Sequence, residues 1–199
     1  MFQEKTLTAP NITIGLLGGS FDPPHQGHVH ITEQAIKRFR LNKVLWLVSP
    51  HNPLKKSGPV SIERRIAACN NVLRNPKVQV SDLEGRLKTR FTSDTLAKLI
   101  LLHPKVRFVW LMGADNLINF HQWDNWNWIV NNVPIGIMAR PGQQIRAGLS
   151  PLALKYKRFR LNPNLAPCLA TRKAPIWCLL HGPMVGDSST KLRLTGSWI

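Results

Sequence analysis

Two histidines three positions apart, His25 and His28, follow closely on a pair of glycines in the stretch GLLGGSFDPPHQGHVHI, Gly15 to Ile31. Imidazoles donate hydrogen bonds and exchange protons near neutral pH. Gly18 and Gly19 let the backbone turn tightly and approach a ligand without a Cβ. Gly27 falls where the next helix is expected to begin, and backbone N–H groups at a helix start, aided by the helix dipole, favour an anion. Together these residues read as a phosphate cradle. His25 and His28 would donate where negative charge builds up in a transition state.

Three other readings compete. His25, His28 and His30 could ligate a metal, but no HExxH pattern or nearby cysteine accompanies them. A dinucleotide site needs GxGxxG, and the chain offers only Gly18-Gly19 followed by Ser-Phe-Asp. A Gly/Pro-rich connection with incidental histidines is the blandest option. The position of the turn, after an apolar strand and before a helix, counts against it.

The surrounding elements are legible from periodicity. ITIGLL (12–17) is a short apolar run that reads as a buried strand. Val29, Ile31, Ala35, Ile36 and Phe39 then fall on one helical face. KVLWLVS (43–49) is a second strand, which predicts a parallel βαβ unit with a right-handed crossover. Ser61 is placed to cap a helix over IERRIAACNNVLR, and KVQVSDL holds a short strand. TSDTLAKLILLH reads as helix with Thr92 or Ser93 as its cap. KVRFVWLMG (105–113) is a strand, and ADNLINFHQWDNWNWIV is helix in one or two pieces. PIGIMAR and APIWCLL are the remaining strands, joined by a Gly/Pro-containing loop, and SSTKLR opens a final helix. Strands alternating with helices predict a doubly wound, mostly parallel, Rossmann-like α/β sheet with helices on both faces. In such sheets ligands bind beyond the carboxyl ends of the strands, where the His25–His28 turn lies.

Bulk composition is consistent with this. The 199 residues suit one domain, 1–199, with a flexible N-terminal segment over 1–11. Lys and Arg total 27 against 10 Asp and Glu, giving a net charge of +17 that attracts polyanions. The densest basic cluster is KYKRFR, Lys155 to Arg160. A nucleic-acid-binding reading stays open on charge alone, with no RNP, KH or zinc-finger signature to support it. Cys69, Cys168 and Cys178 lack CxxC spacing and predict buried free thiols in a reducing, cytoplasmic compartment. No secretory signal or membrane-spanning run is visible.

GGSFDPPHQGH resembles the first signature of the HxGH nucleotidyltransferases, and SSTKLR (Ser188 to Arg193) resembles the second, ISSTxIR. RFTSDTL (90–96) and MGADNLINFHQWDNW (112–126) resemble further segments of the bacterial nicotinate-nucleotide adenylyltransferase family. The match runs from about residue 12 to 194, and four segments in order are far more specific than HxGH alone. This resemblance implies transfer of AMP from ATP to nicotinic acid mononucleotide, with Mg²⁺ accompanying the ATP, no covalent intermediate and no membrane partner. It implies that His25, His28 and Arg193 act on the phosphates. ATP would be held by Gly18, Gly19, Ser20, Phe21, Gly27, Ser188, Ser189 and Thr190. The mononucleotide would meet Asn52, Lys55, Thr92, Asp115 and Trp123, with Trp123 stacking on the pyridine ring unless it is a packing residue like Trp126 and Trp128. Asp115 could also serve as a helix N-cap.

The chain departs from the family pattern at Asp187, which replaces Ile and could approach Mg²⁺ through water or cap a helix. Phe91 stands for Tyr and Leu192 for Ile. Nicotinamide mononucleotide and phosphopantetheine are the rival acceptors. The resemblance leaves the oligomeric state open, because the family includes monomers and oligomers.

Overall fold

The computed structural model describes residues 11–50, 60–139, 144–181 and 189. Its centre is a six-stranded, wholly parallel sheet in the order β3-β2-β1-β4-β5-β6. The strands are β1 (Thr13–Gly19), β2 (Lys43–Val48), β3 (Val78–Ser81), β4 (Arg107–Gly113), β5 (Ile135–Met138) and β6 (Trp177–Leu180). The helices are α1 (Gln26–Arg38), α2 (Ile62–Val72), α3 (Leu83–Arg86), α4 (Thr92–Leu102), α5 (Ala114–Asn119), α6 (Trp126–Asn132), α7 (Gln144–Gly148) and α8 (Pro151–Lys155). This is the doubly wound α/β class expected.

The strands are apolar almost throughout because helices cover both faces. Period-two alternation assigns the faces. Ile14, Leu16, Leu45, Leu47, Trp110 and Ile137 point into one core with Leu96 and Leu99 of α4, Leu117 of α5 and Ile129 of α6. Leu17, Val44, Trp46, Val109, Leu111 and Cys178 point into the other, with Ile31 and Ala35 of α1 and Cys69 of α2. Burial pushes the thiol of Cys69 up to about 12 and that of Cys178 up to about 11. Cys168 is only half-buried, so the expectation of three buried thiols holds for two.

The sheet order reverses at β1. The chain runs β1 to β2 to β3 on one side, then returns through α4 to place β4 on the other side of β1. The carboxyl ends of β1 and β4 therefore splay their loops apart and open a crevice.

Several local readings are corrected. The N-cap of α4 is Phe91, not Thr92 or Ser93. Thr92 and Ser93 occupy the first turn, and the Ser93 hydroxyl donates instead to Asp124 at 3.1 Å. Gly113 is the N-cap of α5, so Asp115 lies inside the helix. The connection between β5 and β6, read as a loop, holds α7, α8 and 3-10 helices over 157–159 and 163–171. Each piece is short, and Pro151, Pro163 and Pro167 interrupt the periodicity that would reveal it.

The basic cluster has a structural use as well. Lys155 Nζ lies 5.3 Å from the Trp126 ring, the Arg158 guanidinium 4.7 Å from Phe159 and that of Arg160 5.3 Å from Trp177. These cations roof aromatic surface. Among the described residues no helix is long and apolar enough to cross a membrane.

Candidate active site

A cavity of about 390 Å³ opens at the carboxyl ends of β1 and β4. Gly18, Gly19, Ser20, Phe21, His25, His28, Thr92, Asp115, Trp123 and Ser189 all line it. Residues spread over more than 160 positions of sequence thus meet in one place. Gly27 does not line the cavity; its N–H is taken up by His25. Asn52, Lys55, Asp187, Ser188, Thr190 and Arg193 lie outside the described residues.

The turn after β1 is built around two imidazoles. His25 is the N-cap of α1, and its Nδ1 accepts from the Gly27 N–H at 3.1 Å. The His28 Nδ1 in turn accepts from the His25 backbone N–H at 3.3 Å. The pair forms a reciprocal capping box in which histidines take the roles usually held by Ser and Glu. An imidazole nitrogen that accepts carries no proton, so these bonds assign the neutral ring proton to Nε2 in both residues. Local helix capping therefore sets which nitrogen donates.

Packing fixes the rings in place. The His25 and His28 centroids are 3.9 Å apart, and Phe21 lies 4.8 Å from His28 and 4.8 Å from Trp46. Phe21 adopts a left-handed backbone, φ 47°, which turns the chain back toward α1. The indole of Trp46 donates to Thr32 Oγ1 at 2.7 Å, and that hydroxyl donates to the His28 carbonyl at 2.8 Å. The Ser189 hydroxyl donates to the Pro23 carbonyl at 2.8 Å, so the second signature segment touches the first.

Gly18 stands at the floor. A Cβ there would lie 2.5 Å from Cη2 of Trp110, so the indole of Trp110 occupies the space a side chain would need. Trp110 meets Trp123 edge-on at 6.0 Å, and Phe120 meets Trp123 at 5.2 Å. Trp123 is half-buried: these rings hold it while it lines the cavity. One residue thus both packs against these rings and faces the cavity.

Sequence reasoning missed Glu84, Arg90, Trp110, Asn116 and Asp124, which also line the cavity. It also missed Arg65, which lies behind the wall. Arg65 is 1% exposed, and its guanidinium is fastened to backbone carbonyls of four residues. Burial lowers its pKa, with Asp22, Cys69 and Glu63 acting in opposition. One signal does exist in the sequence: Arg65 falls with Ile62, Ile66, Cys69 and Val72 on the apolar stripe of α2, where a charge requires a reason.

Glu84 is buried and accepts from the Ser49 hydroxyl at 2.6 Å. Burial raises its pKa and the Ser49 hydrogen bond partly offsets this. A carboxyl whose folded pKa exceeds its unfolded one contributes stability that is complete below the unfolded value and is lost as pH rises through the folded value. Glu84→Gln is therefore expected to melt above the parent at about pH 8, with the gap closing toward about pH 4. Thermal melts at both pH values check this, and a gap independent of pH would contradict it.

Among the described residues no group of three or more His, Cys, Asp or Glu is arranged to hold a metal ion. The site is thus two imidazole donors, a glycine turn and a helix-start cap facing an aromatic platform.

The model of the cytidylyltransferase-like family matches residues 16–194. A Ruegeria pomeroyi protein named "probable nicotinate-nucleotide adenylyltransferase" is 50% identical over 198 residues, covering 100% of this chain and 93% of its own length. A Cereibacter sphaeroides protein of the same name is 54% identical over 187 residues, covering 94% of this chain and 100% of its own. Among solved structures, the Plasmodium falciparum nicotinic acid mononucleotide adenylyltransferase complexed with NaAD superposes with a TM-score of 0.70. That match covers 92% of this chain and 83% of the other at 18% identity, and it supports the fold. With a family match over residues 16–194 and near-complete coverage at about half identity, the chain belongs to the nicotinate-nucleotide adenylyltransferase family of cytidylyltransferase-like nucleotidyltransferases.

Proposed function

We propose that this protein transfers the adenylyl group of ATP to the 5′-phosphate of nicotinic acid mononucleotide, forming deamido-NAD and pyrophosphate. The carrying observation is the reciprocal His25–His28 cap, which leaves the neutral ring proton on Nε2 in two residues that line the same cavity as Trp123 and Thr92.

The attacking phosphate is already ionised, so the reaction needs no strong base. One of its oxygens bonds to the α-phosphorus of ATP while the bond from that phosphorus to the β-bridging oxygen breaks. The protein's work is alignment and charge stabilisation. His28, within the first turn of α1, donates to the α-phosphate, and His25 donates beside it. Each donor supplies about 2.7–4 kcal/mol if it behaves as an oxyanion-hole donor. Gly18, Gly19, Ser20 and Phe21 bring backbone close to ATP. Ser188, Ser189, Thr190 and Arg193 receive the outer phosphates.

Trp123 offers its face to the pyridine ring, and the first turn of α4 at Thr92 receives the nicotinate carboxylate. Asp115 accepts from ribose hydroxyls, and Asn52 and Lys55 serve the mononucleotide phosphate. Trp123→Ala is expected to raise the KM for the mononucleotide about tenfold or more with a smaller change in turnover. Steady-state kinetics check this, and an unchanged KM with a lowered Tm would make Trp123 a packing residue alone.

Mg²⁺ enters with the triphosphate. It would be held by the phosphate oxygens of ATP, with Asp187 the carboxylate that could approach it through water. When bound, it would supply charge neutralisation on the departing pyrophosphate. The catalytic unit is the whole chain, 1–199, as one domain, a reading supported by the family match over 16–194. ATP consumption and unpaired cysteines suit the cytoplasm.

The deciding experiment is pyrophosphate release from ATP and Mg²⁺, run in parallel with nicotinic acid mononucleotide, nicotinamide mononucleotide and 4′-phosphopantetheine. Release with the first alone supports the assignment. Preference for another acceptor keeps the reaction and overturns the substrate. No release from folded protein with any acceptor overturns both.

A further inference from the structure

Arg65 lies on α2, yet its guanidinium reaches carbonyls of separate chain segments. Its Nη1 donates to Ser20 at 2.7 Å and to Ser49 at 2.7 Å, its Nε to Val60 at 2.8 Å and its Nη2 to Pro50 at 3.4 Å. Ser20 directly follows β1 and Ser49 directly follows β2. A single buried fork therefore bridges the carboxyl end of β1, from which the His25–His28 turn departs, and that of its neighbour β2.

The fork also meets other wall contacts. The Ser49 N–H donates to the Gly19 carbonyl at 3.0 Å, and its hydroxyl donates to Glu84 at 2.6 Å. Ser20, Ser49 and Glu84 all line the cavity. From Ser20 the chain passes through the left-handed Phe21 to His25 within five residues. A shift of the Ser20 carbonyl is therefore carried to the imidazoles over a short, tightly packed path. Burying a guanidinium is costly, and a hydrophobic side chain on this stripe of α2 would pack without that cost. A planar donor set that fastens several carbonyls at once is something only arginine offers.

Building on the adenylyl-transfer reading above, we propose that Arg65 is a positioning residue for the reaction: its guanidinium locks the Ser20–His25 turn to the end of β2 and so sets the placement of the two histidine donors. It touches no reacting atom and acts through the Ser20 carbonyl.

The test uses Arg65→Lys and Arg65→Met in the full chain, with folding verified by circular dichroism. Lysine keeps the charge and loses the fork, so it separates geometry from electrostatics. For Arg65→Lys, kcat is expected to fall roughly 10- to 100-fold, with the KM for nicotinic acid mononucleotide held within about threefold. A histidine-selective ¹⁵N spectrum is expected to show the His25 and His28 ring signals displaced and that of His103 in place.

A kcat within about twofold of the parent per folded molecule overturns the proposal. So does a loss of kcat with unmoved His25 and His28 signals, because Arg65 then acts by another route. Failure of both variants to fold also overturns it, since Arg65 would then serve folding. The parent is assayed first. If it releases no pyrophosphate, the functional reading fails, and the imidazole spectra of the variants still decide the role of Arg65.

Discussion

Alanine at position 28 is expected to leave a folded protein whose turnover, at saturating ATP and mononucleotide, is roughly 10²- to 10³-fold below the parent. The reason is differential: a donor aimed at developing charge strengthens in the transition state, so its loss reduces kcat more than binding. His28 also has a structural duty, because its Nδ1 accepts from the His25 backbone N–H. Losing that bond costs about 1 kcal/mol, or about 2–4 °C in Tm for a chain of this size. His28→Asn separates the two duties. Its amide oxygen can take the place of Nδ1 as acceptor, and nothing replaces the Nε2 proton. It is expected to recover the Tm and not the turnover. Pyrophosphate release and thermal melts check both, and near-normal turnover in either variant would remove His28 from the chemistry.

The second large effect is expected from Gly18→Ala. The added methyl would stand 2.5 Å from Cη2 and 3.1 Å from Cζ2 of Trp110. Trp110 is only 1% exposed and cannot swing away freely. It can move only toward its neighbours, and Trp123 is one of them, edge-on at 6.0 Å. Overpacking of this kind costs about 1–3 kcal/mol. The displaced indole also disturbs the aromatic platform, so kcat/KM for the mononucleotide is expected to drop about tenfold or more along with the Tm. Thermal melts and steady-state kinetics measure the two losses. A variant with parental Tm and parental kcat/KM would show that the floor of the cavity yields more readily than close packing allows.

Much of this architecture is legible in the chain itself. The strands from Thr13, Lys43 and Arg107 read as apolar runs because both faces of a parallel sheet are covered, and alternation within them carries through to the two cores. The His25-x-Gly27-His28 stretch stands out by type and spacing, whereas the Thr92 segment and Trp123 are singled out by the family resemblance. Ser61, expected to cap α2, does so, its hydroxyl accepting from Arg64 at 3.4 Å. Local rules fail where a side chain has a better distant partner. Ser93 gives its hydroxyl to Asp124, thirty-one residues away, in place of capping α4. The short helices between β5 and β6 leave no periodic trace because tertiary packing, not periodicity, stabilises pieces of five residues.

The sequence by itself determined the order of the strands and the doubly wound class, and it singled out the His25–His28 turn, since each depends on side-chain type and spacing within a few positions. Only the tertiary structure decided how those residues are used. The tautomer of His25 and His28 follows from backbone donors that exist once α1 begins at Gln26. The seat of Trp123 in the cavity wall follows from Trp110 and Phe120, brought alongside by β4 and the chain after it. The work of Arg65 follows from carbonyls at the ends of β1 and β2 that no one-dimensional pattern brings together. Hydrogen-bond geometry and close packing are properties of neighbours in space, and a linear chain specifies those neighbours only through the fold it adopts.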